Sequence, residues 1–112
     1  MDDADSSASF MSALAAFSNS LSESGIAVYG VAYDLLHFGS WTVEAGKRHR
    51  RSLLQWDGKE SKLSLSQCDV ADSRAPRDWS FVAEESVSEH SSHEELFRAA
   101  ESLLLEKAPS HK

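Results

Sequence analysis

Between Ser40 and Cys68 the chain carries three strand-like runs in which apolar and polar residues alternate, separated by polar stretches. In "SWTVEAG" Trp41 and Val43 fall on one face, with Thr42 and Glu44 on the other. Successive side chains of a strand point to opposite faces, so the pattern predicts a half-buried strand. "RSLLQW" and "KLSLSQC" repeat it, the latter with Leu63 and Leu65 sharing a face. Asp57-Gly58 separates these two runs. Both residues tolerate the positive φ of a type I′ turn, which predicts a tight hairpin there. "WSFVAEE" is expected to add a fourth meander strand with Trp79, Phe81 and Ala83 alternating, after the loop "DVADSRAPRD", whose Asp, Ser and Pro76 break either pattern. Upstream, Ile26, Val28, Tyr29, Val31 and Tyr33 favour a further strand over about 26–33. Gly30 weakens that reading, and "AYDLLHF" fits a short helical turn as well.

Helical spacing brackets the meander. Phe10, Leu14, Phe17 and Leu21 recur at i, i+4, i+7 and i+11, with Met11 and Ala15 widening the stripe. This predicts a helix over about 8–23, with Ser6 or Ser7 as N-cap and Gly25 at the left-handed position beyond its end. Near the C-terminus, Ser92 and Glu95 match a capping box, and Leu96, Phe97, Ala100, Leu103 and Leu104 give a second apolar face that ends before Ala108-Pro109. The expected fold is α+β: a two-layer sandwich in which an antiparallel β-meander of four to five strands is packed on one face by an N-terminal and a C-terminal helix. Its 112 residues fit a single domain over 8–108, with disordered tails at 1–7 and 109–112. The other sheet face carries Thr42, Glu44, Gln55, Ser64 and Ser66 and is expected to be polar.

One cysteine, Cys68, excludes an intrachain disulfide. The acidic N-terminus lacks the basic region of a signal peptide, and the longest apolar run, 26–38, carries Asp34 and His37 and is too short to span a bilayer. A cytoplasmic location without membrane contact is the expectation. The net charge of -7 is unevenly spread. Residues 1–40 hold five acids and no Lys or Arg, and residues 63–112 hold ten acids against five bases. Residues 41–62 reverse the balance, with six bases against three acids. Four of those bases, Lys47, Arg48, Arg50 and Arg51, sit in "KRHRR". A cluster of this kind suits an acidic protein partner or, with Trp41 and Trp56 nearby, nucleic acid. It equally fits the solvated tip of a hairpin, and the acidic remainder of the chain argues against nucleic acid.

Other constellations are weaker. His90 and His93 are three residues apart beside Glu94 and Glu95. Two ligands without a third are poor evidence for a metal, and acids equally suit an exposed helix N-terminus. Cys68 would need His37, His90 or His93 brought to it in space to act as a nucleophile, whereas a buried structural thiol is the commoner role. Asp34 and His37, near Tyr33, have the spacing of a proton-transfer pair on a helical turn but would face apart on a strand. No glycine-rich phosphate loop, G-x-S-x-G or C-x-x-C occurs. No cofactor is implied, and nothing here specifies an enzyme.

The outline of two helices around a meander resembles frataxin-like proteins and acidic secretion chaperones in topology, a level at which resemblance carries no function. The functional expectation is therefore a small bacterial-type interaction protein, an adaptor, chaperone or inhibitor, using Lys47, Arg48, Arg50 and Arg51 against an acidic partner. The alternative is nucleic-acid binding through the same hairpin at 47–51. Whether the chain is a monomer or a dimer stays open.

Overall fold

The computed structural model describes residues 3–34, 36, 38–69, 79–88 and 91–107, with side chains from residue 8 to residue 106 of these. The elements run α1 (Asp3–Glu23), β1 (Ala27–Asp34), β2 (Ser40–Lys47), β3 (Arg50–Asp57), β4 (Lys62–Asp69), β5 (Ser80–Ser86) and α2 (His93–Lys107). The five strands form one open antiparallel sheet in the order β1-β2-β3-β4-β5. Both helices pack on one of its faces, α1 over β1 and α2 over β3 to β5, and they touch each other. This is the α+β layout expected, with the segment at 26–33 resolved as a strand.

The core lies between helices and sheet. Trp41, Val43, Ala45, Leu54, Trp56, Leu63 and Leu65 are buried from the sheet side. Phe10, Phe17 and Leu21 from α1 and Leu96, Phe97, Ala100, Leu103 and Leu104 from α2 close it. An aromatic stack runs through the middle. The Phe97 ring lies 4.6 Å from Trp41 and 4.8 Å from Phe17, and Phe10 stacks on Tyr33 at 4.1 Å. Met11 and Ala15 do not belong to this face. Met11 is 60% exposed, and Ala13 packs on the core instead. The helix turns about 100° per residue, so Met11 lies on the flank facing away from α2.

The helix ends follow side-chain chemistry. At the end of α1 the Ile26 N–H donates to the Leu21 carbonyl and the Gly25 N–H to the Ser22 carbonyl, with Gly25 at φ +80°. These are the two bonds of a Schellman motif, and the left-handed residue is the expected glycine. At α2 the Ser92 N–H donates to Glu95 Oε1 (2.8 Å) while the Glu95 N–H donates to Ser92 Oγ (3.1 Å), a complete capping box. The start of α1 differs from expectation. It begins at Asp3, so Ser6 and Ser7 lie inside the helix instead of capping it, and the segment expected as a tail is helical from Asp3 onward.

One turn and two strands also depart from the simple pattern. Asp57 pairs with Lys62, so the β3–β4 link is a four-residue loop over 58–61, not a two-residue Asp-Gly turn. Asp57 Oδ1 accepts N–H bonds from Lys59 (3.0 Å) and Glu60 (3.1 Å), and Ser61 takes the positive φ. Gly58 is needed for space: a Cβ there would run into the Phe38 carbonyl. In β5, Ala83 faces Leu65 and Phe81 faces Ser66, which leaves Val82 as an extra residue. This bulge turns Phe81 to the face opposite Ala83, so the expected alternation fails, and Phe81 is 65% exposed. β1 has the same device at Tyr29, between Val28 opposite Ala45 and Gly30 opposite Glu44. The expected loop after Asp69 lies outside the described residues, as does the helix-ending Ala108-Pro109.

Candidate partner-binding site

The four bases of "KRHRR" do not form one patch. β2 and β3 pair to their ends, Lys47 opposite Arg50, leaving Arg48 and His49 as a two-residue turn. Arg48 adopts φ +60°. A two-residue hairpin loop needs such a residue to match the strand twist. Glycine would take this conformation freely, whereas an L side chain costs about 1–2 kcal/mol. Arg48 is exposed at the tip, and so is Lys47, whose side-chain end lies beside Gly25.

The next two bases are engaged on opposite sides of the sheet. Arg50 points to the helix side. Its Nε is 3.0 Å from Asp69 Oδ1, and its Nη1 makes a long bond (3.4 Å) to Gln67 Oε1. The buried Gln67 donates in turn to Ser52 Oγ at 3.2 Å, so a polar ladder closes this end of the core. Arg51 points to the open side. Its guanidinium carbon lies 3.7 Å from the centre of the Tyr29 ring, and Nη1 is 3.7 Å from Glu44 Oε2. The bulge at Tyr29 brings that ring under Arg51, a contact that residue spacing does not reveal. Cation–ring attraction and a half-buried carboxylate both hold Arg51 in place. Lys47 and Arg48 make no ion pair among the described residues.

The open face of the sheet carries the expected Thr42, Glu44, Gln55, Ser64 and Ser66, but Leu53, Phe81 and the Tyr29 ring also lie on it, so it is mixed and not wholly polar. One transverse row, Ala32–Thr42–Gln55–Ser64–Glu84, crosses all five strands. It floors a broad open trough of about 1000 Å³, which Asp34, Asp57 and Phe38 also line. Outward positions were legible from alternation. Their assembly into one row required the register.

The remaining sequence candidates separate. Cys68 lies in the row Gly46–Arg51–Cys68 on the open face. His93 lies on the helix side, with its ring 5.5 Å from Phe10 and 5.7 Å from Tyr33. Tyr33 faces Trp41, five residues along β2 from Gly46, or about 17 Å at the rise of an extended strand. With the sheet between them, Cys68 and His93 cannot share a proton. His37 and His90 lie outside the described residues. Asp34 ends β1 and its Oδ1 accepts the Leu36 N–H at 3.1 Å, a local turn contact. Among the described residues no group of three or more His, Cys, Asp or Glu is placed to hold a metal ion. Among the described residues no helix is long and apolar enough to cross a membrane.

His93 has a consequence for stability. Burial against Phe10 and Tyr33 pushes its pKa below the ordinary 6.5, and Nδ1 has no hydrogen-bond partner. The folded state therefore holds a neutral imidazole while the unfolded chain takes up a proton as pH falls through 6.5. Stability should be full above that value and decline below it, until the folded-state pKa is also passed. Urea midpoints measured from pH 7.5 to 5.5 should fall for the wild type. The fall should be shallower in His93→Gln, since the other histidines contribute equally to both. Identical slopes would show that His93 does not titrate differently on folding.

Comparison with protein families, characterised proteins and solved structures finds no match to this chain.

Proposed function

We propose that the protein is a non-catalytic interaction module that holds an acidic segment of another protein at the β2–β3 hairpin tip. One observation carries this reading. In a chain of net charge -7, the exposed Lys47 and Arg48 stand without an ion pair among the described residues, on a turn flanked by two arginines fixed by their own contacts. Lys47 and Arg48 make the direct charge-assisted contacts. Arg50 and Arg51 hold the strand ends and add to the local potential. The patch spans one turn, which suits a short acidic segment better than a long phosphate backbone.

A labelled poly-glutamate peptide at low salt provides the probe, read by fluorescence anisotropy. Saturable binding that Arg48→Glu weakens by roughly tenfold, worth about 1.4 kcal/mol, is the expected result. Binding that is absent, or indifferent to Arg48→Glu, would remove the tip as the contact site. The exposed Tyr29 ring under Arg51 keeps a nucleic-acid reading alive, because base and aromatic together suit single strands. A single-stranded oligonucleotide that binds more tightly than the peptide, with affinity falling steeply in salt, would replace the first reading with this one.

A further inference from the structure

The sheet is open, so among the described residues no strand pairs with the outer edge of β1 or of β5. Exposed edges pair with other chains unless charge, proline or irregularity blocks them. The two edges differ sharply. β5 carries Glu84 and Glu85 next to one another. β1 has no charged residue from Ala27 to Tyr33 and ends in Asp34. Apolar exposure is present at both edges, with Tyr29 and Val31 on β1 and Phe81 and Val82 on β5. The exposed large hydrophobics among the described residues are Met11, Tyr29, Val31, Leu36, Phe38, Phe81, Val82 and Leu105. Tyr29 and Val31 lie on β1, Leu36 and Phe38 lie in the turn that follows it, and Met11 lies on the flank of α1 away from α2. Phe38 packs on Gly58 of the β3–β4 loop, so four of the eight border the β1 edge, against two on β5.

We infer that the free edge of β1 pairs antiparallel with the same edge of a second copy of this chain, across a two-fold axis at Ala32. The bulge at Tyr29 leaves Gly30–Asp34 as the regular stretch of β1. An axis through its centre sets Ala32 against Ala32 of the second copy, Val31 against its Tyr33, and Gly30 against its Asp34. No acid faces an acid in this register, and the exposed Val31 gains an aromatic neighbour on the helix side. Self-pairing of the regular end of β5, Ala83–Ser86, about an axis at Glu84 or at Glu85 would set that glutamate against its own copy, and like charges directly opposite are destabilising. Charge therefore selects β1 over β5. The two-fold pairing consumes both β1 edges, so assembly closes at two chains instead of growing into a filament. A charged peptide would find no complementary charge along Ala27–Tyr33, whereas a second β1 matches it in length and neutrality.

Ala32 is exposed on the open face, so a longer side chain there has room in the monomer. Sedimentation equilibrium of the wild type should give a concentration-dependent dimer. Ala32→Lys and Ala32→Glu should each weaken it by up to roughly fivefold, the upper size of one like-charge cross-strand pair. An equal mixture of the two variants should associate more tightly than either alone, because Lys then faces Glu. A wild type that stays monomeric, variants that dimerise as well as the wild type, or a mixture no tighter than its components would each overturn the proposal. Hydrogen exchange on the wild type gives a readout free of substitutions. The amides of Gly30–Asp34 that point away from β2 should exchange more slowly at high protein concentration, and concentration-independent exchange would overturn the pairing.

Discussion

Phe97→Ala is expected to lose about 3–5 kcal/mol of folding stability. Phe97 is buried where three elements meet: its ring contacts Phe10 and Phe17 of α1 and stacks on Trp41 of β2, while its own backbone belongs to α2. Truncation removes the transfer free energy of the ring and leaves a void that two helices and a sheet cannot all close at once. A domain of this size has on the order of 5–15 kcal/mol in total, so the variant should be close to unfolding at room temperature. Urea denaturation followed by tryptophan fluorescence measures the loss, with Trp41 beside the void as reporter. Phe97→Leu keeps much of the volume and should lose less than about 1.5 kcal/mol. A loss under 1 kcal/mol for the alanine variant would mean that α2 does not pack as described.

Gly46→Ala should cost about 1–3 kcal/mol, the range for forcing atoms into a filled site. The backbone of Gly46 is ordinary, so the requirement is for space and not for a special φ. A Cβ there would meet the Arg50 carbonyl oxygen, the Arg51 Cα at 3.3 Å and the Arg51 Cδ at 2.8 Å. The strand ends would have to separate, or Arg51 would have to leave the Tyr29 ring. Gly30 lies on the same open face, but nothing stands within 4 Å of a Cβ built on it. Gly30→Ala should therefore be neutral or stabilising by a few tenths of a kcal/mol through a less flexible unfolded chain. Urea midpoints for the two variants separate close packing from generic glycine effects. Equal losses at both positions would refute the steric account of Gly46.

The architecture was legible wherever the residues obeyed one period for a whole element. Trp41, Val43, Leu63 and Leu65 alternate and are buried; Phe10, Phe17 and Leu21 recur at helical spacing and are buried; Ser92 and Glu95 cap as their types dictate. What escaped notice were departures from a period, because a bulge is one residue inserted by geometry and not by composition. Val82 reads like any strand valine, yet it turns Phe81 outward. Asp57-Gly58 reads as a turn centre, yet the loop runs over 58–61, Gly58 serves to make room for the Phe38 carbonyl, and the positive φ falls on Ser61. The candidate site was half legible for a related reason. Alternation placed Arg50 and Arg51 on opposite faces in principle, but their partners Asp69, Glu44 and Tyr29 come from three other strands and follow only from register. Cys68 and His93 were separable only once the sheet stood between them.

The odd number of strands fixes the mutual direction of the helices. With a change of direction between successive elements, five antiparallel strands return the chain so that α2 runs the same way as α1. The contacts agree, since Phe10 meets His93, Phe17 meets Phe97 and Ser20 donates to Glu101. Parallel helices align their macrodipoles, so both carbonyl-rich ends, each equivalent to about half a negative charge, lie at one end of the molecule. α1 has no basic residue in its last turn. Lys47 reaches its terminus from the neighbouring hairpin, beside Gly25. The hairpin cations thus stand at the pole where the backbone itself is negative, an arrangement worth about 0.3–1 kcal/mol per well-placed charge. Reversing the charge at Lys47 would therefore weaken the fold as well as any contact with a partner, which is why Arg48, farther out on the turn, is the position that separates binding from stability.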